Sequence, residues 1–150
     1  MPDGIVRQRL VEVLNKIISQ KALEEAGRYG VYLINQRVHA GHDLNNNPFM
    51  QYSAKYRARK IKNGKWSGSV DLQLSGRMIR DLNTNITRNF SSQLYEVEIG
   101  YIPGKSSERS IQKARWHNID GAGRKKVKRT FVGLTDIERR KILEFFQGRN

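Results

Sequence analysis

The sequence predicts an α+β fold: a long N-terminal helix with a kink, an antiparallel β-sheet with a short central helix, and a C-terminal helix. Three observations lead there. Apolar residues recur at helical spacing through the first forty positions. The run Tyr95-Glu96-Val97-Glu98-Ile99-Gly100-Tyr101 alternates as a half-buried antiparallel strand does. Thr135-Asp136-Ile137-Glu138 is a capping box, a hydroxyl followed three residues later by a carboxylate, and it opens a last helix.

In order along the chain, Val6, Leu10, Val13 and Ile17 share one helical face, with Leu14 and Ile18 beside them. Ala22, Ala26, Tyr29 and Leu33 continue the stripe slightly out of phase. Ser19-Gln20-Lys21 therefore reads as a turn or kink, with Ser19 capping the second half. Gly27 and Gly30 each cost a helix roughly 1 kcal/mol against alanine, which leaves two readings: close packing inside the chain, the cheaper one, or an oligomer face. Ala40-Gly41 ends the helix. His42 to Pro48 is turn-rich, and turn chemistry accounts for His39, His42 and Asp43 more simply than a metal does. Phe49 and Tyr52 are expected to anchor this loop on the core.

Leu72 and Leu74 alternate with polar residues like a strand. Ser75 then offers a cap, and Met78, Ile79 and Leu82 take helical spacing, so a short central helix is expected there. Asn83 to Phe90 is a strand, Ser91-Ser92-Gln93 a hairpin turn, and Leu94 onward the second strand, ended by Pro103 and Gly104. Ser107 precedes a short helical piece carrying Ile111 and Ala114. Thr130 to Leu134 reads as a short strand before the capping box.

A chain of 150 residues amounts to about one domain, expected here to span 1–150. It has no cysteine, which excludes a disulfide framework and thiolate chemistry. Its three histidines (His39, His42, His117) are scattered, and no metal or cofactor is expected. No run approaches the roughly 20 apolar residues of a membrane span, and none reads as a secretory leader; synthesis in a reducing cytoplasm is the expectation. Phosphate-loop, zinc-protease and nucleophile-elbow motifs are missing. Asp71, Asp81, Glu96 and Glu98 would make a metal nuclease only if the fold gathered them with further ligands. An enzyme is not expected.

Charge is the dominant global feature. Twenty-eight basic residues face fourteen acidic ones, a formal net charge of +14. Such a field attracts polyanions or an acidic protein face. The basic residues concentrate in two loops, near 55–65 and 121–129. The first, from Lys55 to Trp66, holds six cations among twelve residues with no acid between Leu44 and Val70. Tyr56 and Trp66 lie within it, which admits base stacking; a solvated arm, or one docking on an acidic neighbour, are the other readings. The second places five cations between Arg124 and Arg129, behind Gly121 and Gly123, whose freedom predicts a mobile base. The candidate contacts are Arg124, Lys125, Lys126, Lys128 and Arg129, then Arg57, Arg59, Lys60 and Lys62.

An ordered set of short motifs resembles the virion-morphogenesis, or tail-completion, proteins of tailed bacteriophages. In this chain they are Gly41-His42-Asp43, Pro48-Phe49-Met50-Gln51-Tyr52-Ser53, Leu72-Gln73-Leu74-Ser75-Gly76-Arg77-Met78, Ile99-Gly100, Trp116-His117-Asn118-Ile119-Asp120-Gly121 and Phe131-Val132-Gly133-Leu134-Thr135-Asp136. No one motif is specific; their order is. The likeness runs over residues 5–147 and departs before Phe131, where Lys128-Arg129-Thr130 stands in place of a Pro-x-Arg element. The resemblance implies a structural virion protein of the neck that makes a ring, commonly a hexamer, between portal or head-completion proteins and tail-tube or tail-terminator proteins, with genomic DNA passing through the lumen. It carries no catalytic residue over to this chain. Six copies would hold +84, six times +14, a self-repulsion that DNA or acidic neighbouring rings would have to neutralise. The alternative is a small basic module that binds nucleic acid without regard to sequence.

Overall fold

The structure, a computed structural model, describes residues 7–11, 20–73, 75–89 and 94–147. It is α+β. Strand β1 is Arg7–Val11, helix α1 Gln20–His39, helix α2 Ala54–Lys62 and helix α3 Arg77–Arg80. Strands β2 (Asn83–Asn89) and β3 (Leu94–Gly100) follow, then helix α4 (Glu108–Arg115), which runs on into a π-helical turn, Trp116–Asp120. Helix α5, Asp136–Gln147, closes the chain.

The sheet is antiparallel in the order β1-β3-β2, with Leu10 and Ile86 both in register with Val97. Helix α1 lies across β2 and β3 and against α5. Two glycines make that approach possible. A Cβ on Gly30 would stand 2.4 Å from Ile99 Cδ1, and one on Gly27 3.0 Å from Thr84 Cγ2 and Val97 Cγ1. The small residues of α1 are therefore used within the chain. Leu23, Ala26, Leu33, Ile34 and Val38 of α1 meet Val97, Ile99 and Tyr101, and the same core takes in Met78, Ile79, Leu82, Phe131 and Ile142.

Helix α1 ends where expected. Gly41 N–H donates to Val38 O (2.9 Å) and His42 N–H to Arg37 O (3.1 Å), the paired bonds of a Schellman cap. Asp43 Oδ1 accepts from the amides of Asn45 and Asn47, so the following residues are turn chemistry. The capping box forms as read: Glu138 N–H donates to Thr135 Oγ1 (3.1 Å) and Thr135 N–H to Glu138 Oε2 (2.8 Å).

Three expectations are corrected. The first apolar stripe is not a helix over 7–11, because those residues pair with β3; Val6, Val13, Leu14, Ile17, Ile18 and Ser19 lie outside the described residues. Among the described residues just before α3 there is no strand. Leu72 takes φ +55 and gives its N–H to the Tyr52 hydroxyl, Leu74 lies outside the described residues, and α3 is one turn with Gly76 at its N-cap. Residues 130–134 form no strand, since their backbone bonds go elsewhere: Asn118 Oδ1 accepts from Phe131 (2.8 Å) and Val132 (3.0 Å), and Arg37 donates to the carbonyls of Phe131 and Gly133. Glu138, read as the carboxylate of the capping box, is also buried and accepts from Arg37 Nε at 2.8 Å. The Ser91-Ser92-Gln93 turn lies outside the described residues.

Candidate functional site

The first basic run is a helix rather than an arm. Ser53 Oγ accepts from Tyr56 N–H (3.3 Å) at its start. At its end Gly64 N–H donates to Ile61 O (3.0 Å) and Lys65 N–H to Lys60 O (2.8 Å), a second Schellman cap. Between them stand Ala, Lys, Arg and Ile, which favour or tolerate a helix, with Tyr56 turned toward the core side.

The inner face of α2 is built on Lys60, whose side chain is 0% exposed. Its ammonium donates to Asp71 Oδ1 (2.5 Å) and Gln73 O (2.5 Å) and lies 5.1 Å from the Tyr52 ring centre. Burial alone would raise the Asp71 carboxyl. Lys60, the Gln73 amide and the Ser67 hydroxyl, all donating to it, hold it below the ordinary carboxylate value instead. Tyr52 is the hub. Tyr56 meets it edge-on at 4.8 Å and Trp66 at 6.4 Å, and its buried hydroxyl is pushed far up, by desolvation and then by Asp71. Arg57 lies over Trp66, 5.6 Å from the ring centre. The aromatic residues that admitted base stacking are thus engaged with one another and with cations of the same chain.

The second basic run is a closed hairpin. Ala122 and Val127 exchange N–H···O bonds of 2.8 and 3.1 Å, and Lys126 N–H donates to Gly123 O. Gly121 does not loosen its base. It takes φ +85, and a Cβ there would stand 2.2 Å from Lys126 O, so only glycine lets the two arms meet. Arg124, Lys125, Lys126 and Lys128 are exposed.

Arg129 is not. It is buried; its Nε donates to Met50 O (2.8 Å) and Nη2 to Gln51 O (2.9 Å), its N–H bonds His117 O (2.7 Å), and its guanidinium lies 5.2 Å from the Tyr52 ring centre. Of the nine candidate contacts, Lys60 and Arg129 are therefore corrected to internal ties, because their charged ends are spent on buried partners. Arg57, Arg59, Lys62, Arg124, Lys125, Lys126 and Lys128 face solvent. The same two internal cations join the runs at their roots, one on each run and both beside Tyr52. Sequence reasoning left Lys55 out of the site; the signal was its spacing, since 55, 59 and 62 are i, i+4 and i+7.

The acidic residues do not converge. Asp71 belongs to Lys60. Asp81 accepts from the Ser107 hydroxyl at 2.6 Å, which with Ser110 holds its carboxyl below the ordinary value. Glu98 is buried in mid-strand. Among the described residues no group of three or more His, Asp or Glu side chains is placed to hold a metal. A cleft of about 260 Å³ lined by Lys65, Asp71, Gln73, Ser75, Gly76 and Arg80 mixes both signs of charge, and its carboxylate is the one tied to Lys60. Among the described residues no helix is long and apolar enough to cross a membrane.

No family model matches the chain, and no curated protein or solved structure does either.

Proposed function

We propose that the chain is a structural subunit of the neck of a tailed-phage particle. It packs side by side with copies of itself in a ring, hexameric in the first instance, that joins the tail to the head connector and lets the genome through. It performs no bond-making chemistry of its own. One observation carries the reading: seven solvent-facing cations sit on two elements closed by their own hydrogen bonds, and among the described residues none of the seven is paired with a carboxylate. Charge held out on rigid supports in this way favours a polyanionic partner that arrives after folding. The ordered motifs supply the neck. Their residues are structural joints here: Tyr52 on Leu72, Asn118 on Phe131, Thr135 on Glu138.

The engaged state of Tyr52, Tyr56 and Trp66 weighs against a stand-alone module that stacks bases. The neck reading is tested in the particle. An early stop codon in this reading frame should yield DNA-filled heads and detached tails, and electron images of the complemented neck should show this subunit repeated about the channel axis. Joined particles that lack the chain would refute it.

A further inference from the structure

We propose that the Lys55–Arg59–Lys62 face of α2 and the tip of the 122–127 hairpin with Lys128 form one surface for the phosphate backbone of duplex DNA, aligned by Arg129, which itself touches no nucleotide. For the source of the DNA this rests on the neck reading; the binding itself does not need a ring.

Charge density selects the partner. Seven residues of α-helix rise roughly 10 Å, so α2 presents three cations over that length on one face. A strand of B-DNA carries one phosphate per roughly 3.4 Å of axis, or about three over the same distance. Like charges at i and i+4 oppose one another on an isolated helix. Among the described residues no carboxylate pairs with any of the three, so a polyanion laid along this face would relieve them.

Arg129 makes the two elements one surface. Its guanidinium bonds Met50 O and Gln51 O, two or three residues before the Ser53 cap of α2, while its own amide bonds His117 O. The hairpin therefore leaves the body of the protein within a few residues of the start of α2. Both supports are closed before DNA arrives, the helix by caps at each end and the hairpin by the Ala122–Val127 pair. Lysine and arginine heads pair with phosphate oxygens whatever the base, and such contacts carry no sequence information.

The test is salt-dependent binding of the isolated chain to a short duplex of about one helical turn (~34 Å). Seven contacts (Lys55, Arg59, Lys62, Arg124, Lys125, Lys126, Lys128) predict a log K against log[salt] slope of about −6, with one duplex per chain by sedimentation. K55Q/R59Q/K62Q should flatten the slope by about 3 and R124Q/K125Q/K126Q/K128Q by about 4, with the duplex sequence immaterial. The control variant R139Q/R140Q/K141Q removes three exposed charges from α5 and should change it by less than about 1. Two duplexes per chain would overturn the single surface. Equal flattening by the α5 variant would reduce the effect to net charge, and polyglutamate binding as tightly as DNA with the same slope would reassign the surface to an acidic protein; either result overturns the proposal. Because no particle is used, this test and the particle test can fail independently.

Discussion

Replacing Lys60 with methionine separates a structural cation from a binding one. The Lys60 side chain is 0% exposed and that of Asp71 8%. K60M keeps the length and apolar stem of the side chain and removes its charge, leaving the Asp71 carboxylate buried with the Ser67 hydroxyl (3.0 Å) and the Gln73 amide (3.1 Å). Breaking a buried pair by deleting one partner costs about 3–5 kcal/mol. The two surviving donors put this case near the lower end, about 3 kcal/mol. With a urea m-value of about 2 kcal/mol/M, the unfolding midpoint should fall by about 1.5 M. The pH dependence has a definite sign. In the wild type the folded Asp71 value is depressed, so its contribution is present above the unfolded value and is lost as pH falls through the folded one. In K60M burial raises the carboxyl instead, so protonation relieves the strain, and the deficit should narrow as pH falls through the raised value. K60M/D71N, which removes the stranded charge, should regain more than half of the loss. The DNA salt slope should not change in either variant. A loss under about 1 kcal/mol, a deficit independent of pH, or a flattened slope would refute the assignment of Lys60 as an internal tie.

Three further outcomes are expected. G121A should cost at least about 3 kcal/mol and open the hairpin, read as faster exchange of the Ala122 and Val127 amides, while G123A, whose Cβ meets open space, should cost only about 1; equal costs would deny the close approach. His117 is partly buried near Arg129 and Lys113, and desolvation first, then those two cations, lowers its imidazole to about 4. The unfolded chain therefore takes up its proton first, and stability should fall by up to about 3 kcal/mol as pH drops from about 6.5 to about 4, a fall that H117Q should largely abolish in paired urea titrations. N118A strands the Phe131 and Val132 amides and the Ala114 carbonyl, and should lower the melting temperature by roughly 5–10 °C; N118D, which keeps the acceptor, should lower it less.

Much of the architecture could be read before any coordinate. The Thr135–Glu138 box, the Ala40-Gly41 stop, the β2 and β3 strands and the short helix after Ser107 all rest on bonds between residues a few positions apart, or on alternation within one element. The errors share one cause, which is dependence on distant partners. Residues 7–11 carry a stripe that satisfies a helix locally, and β3 claims them through pairing across ninety residues of chain. Residues 130–134 look like a strand, yet Arg37 and Asn118 take their backbone groups. At the candidate site the two basic runs were visible as composition, but which cations turn inward was not.

Charge, and its crowding into two segments, belongs to the amino-acid order alone, because counting needs no geometry. So do the cap residues that start and stop helices, because their partners lie within one turn. The fate of each cation was settled by folding: Lys60 and Arg129 look like their neighbours as letters, and only the arrival of Asp71, Gln73 and the Met50 and Gln51 carbonyls makes them internal. A buried charge is tolerated only where distant groups converge to replace its water, and that convergence is a property of the packed chain.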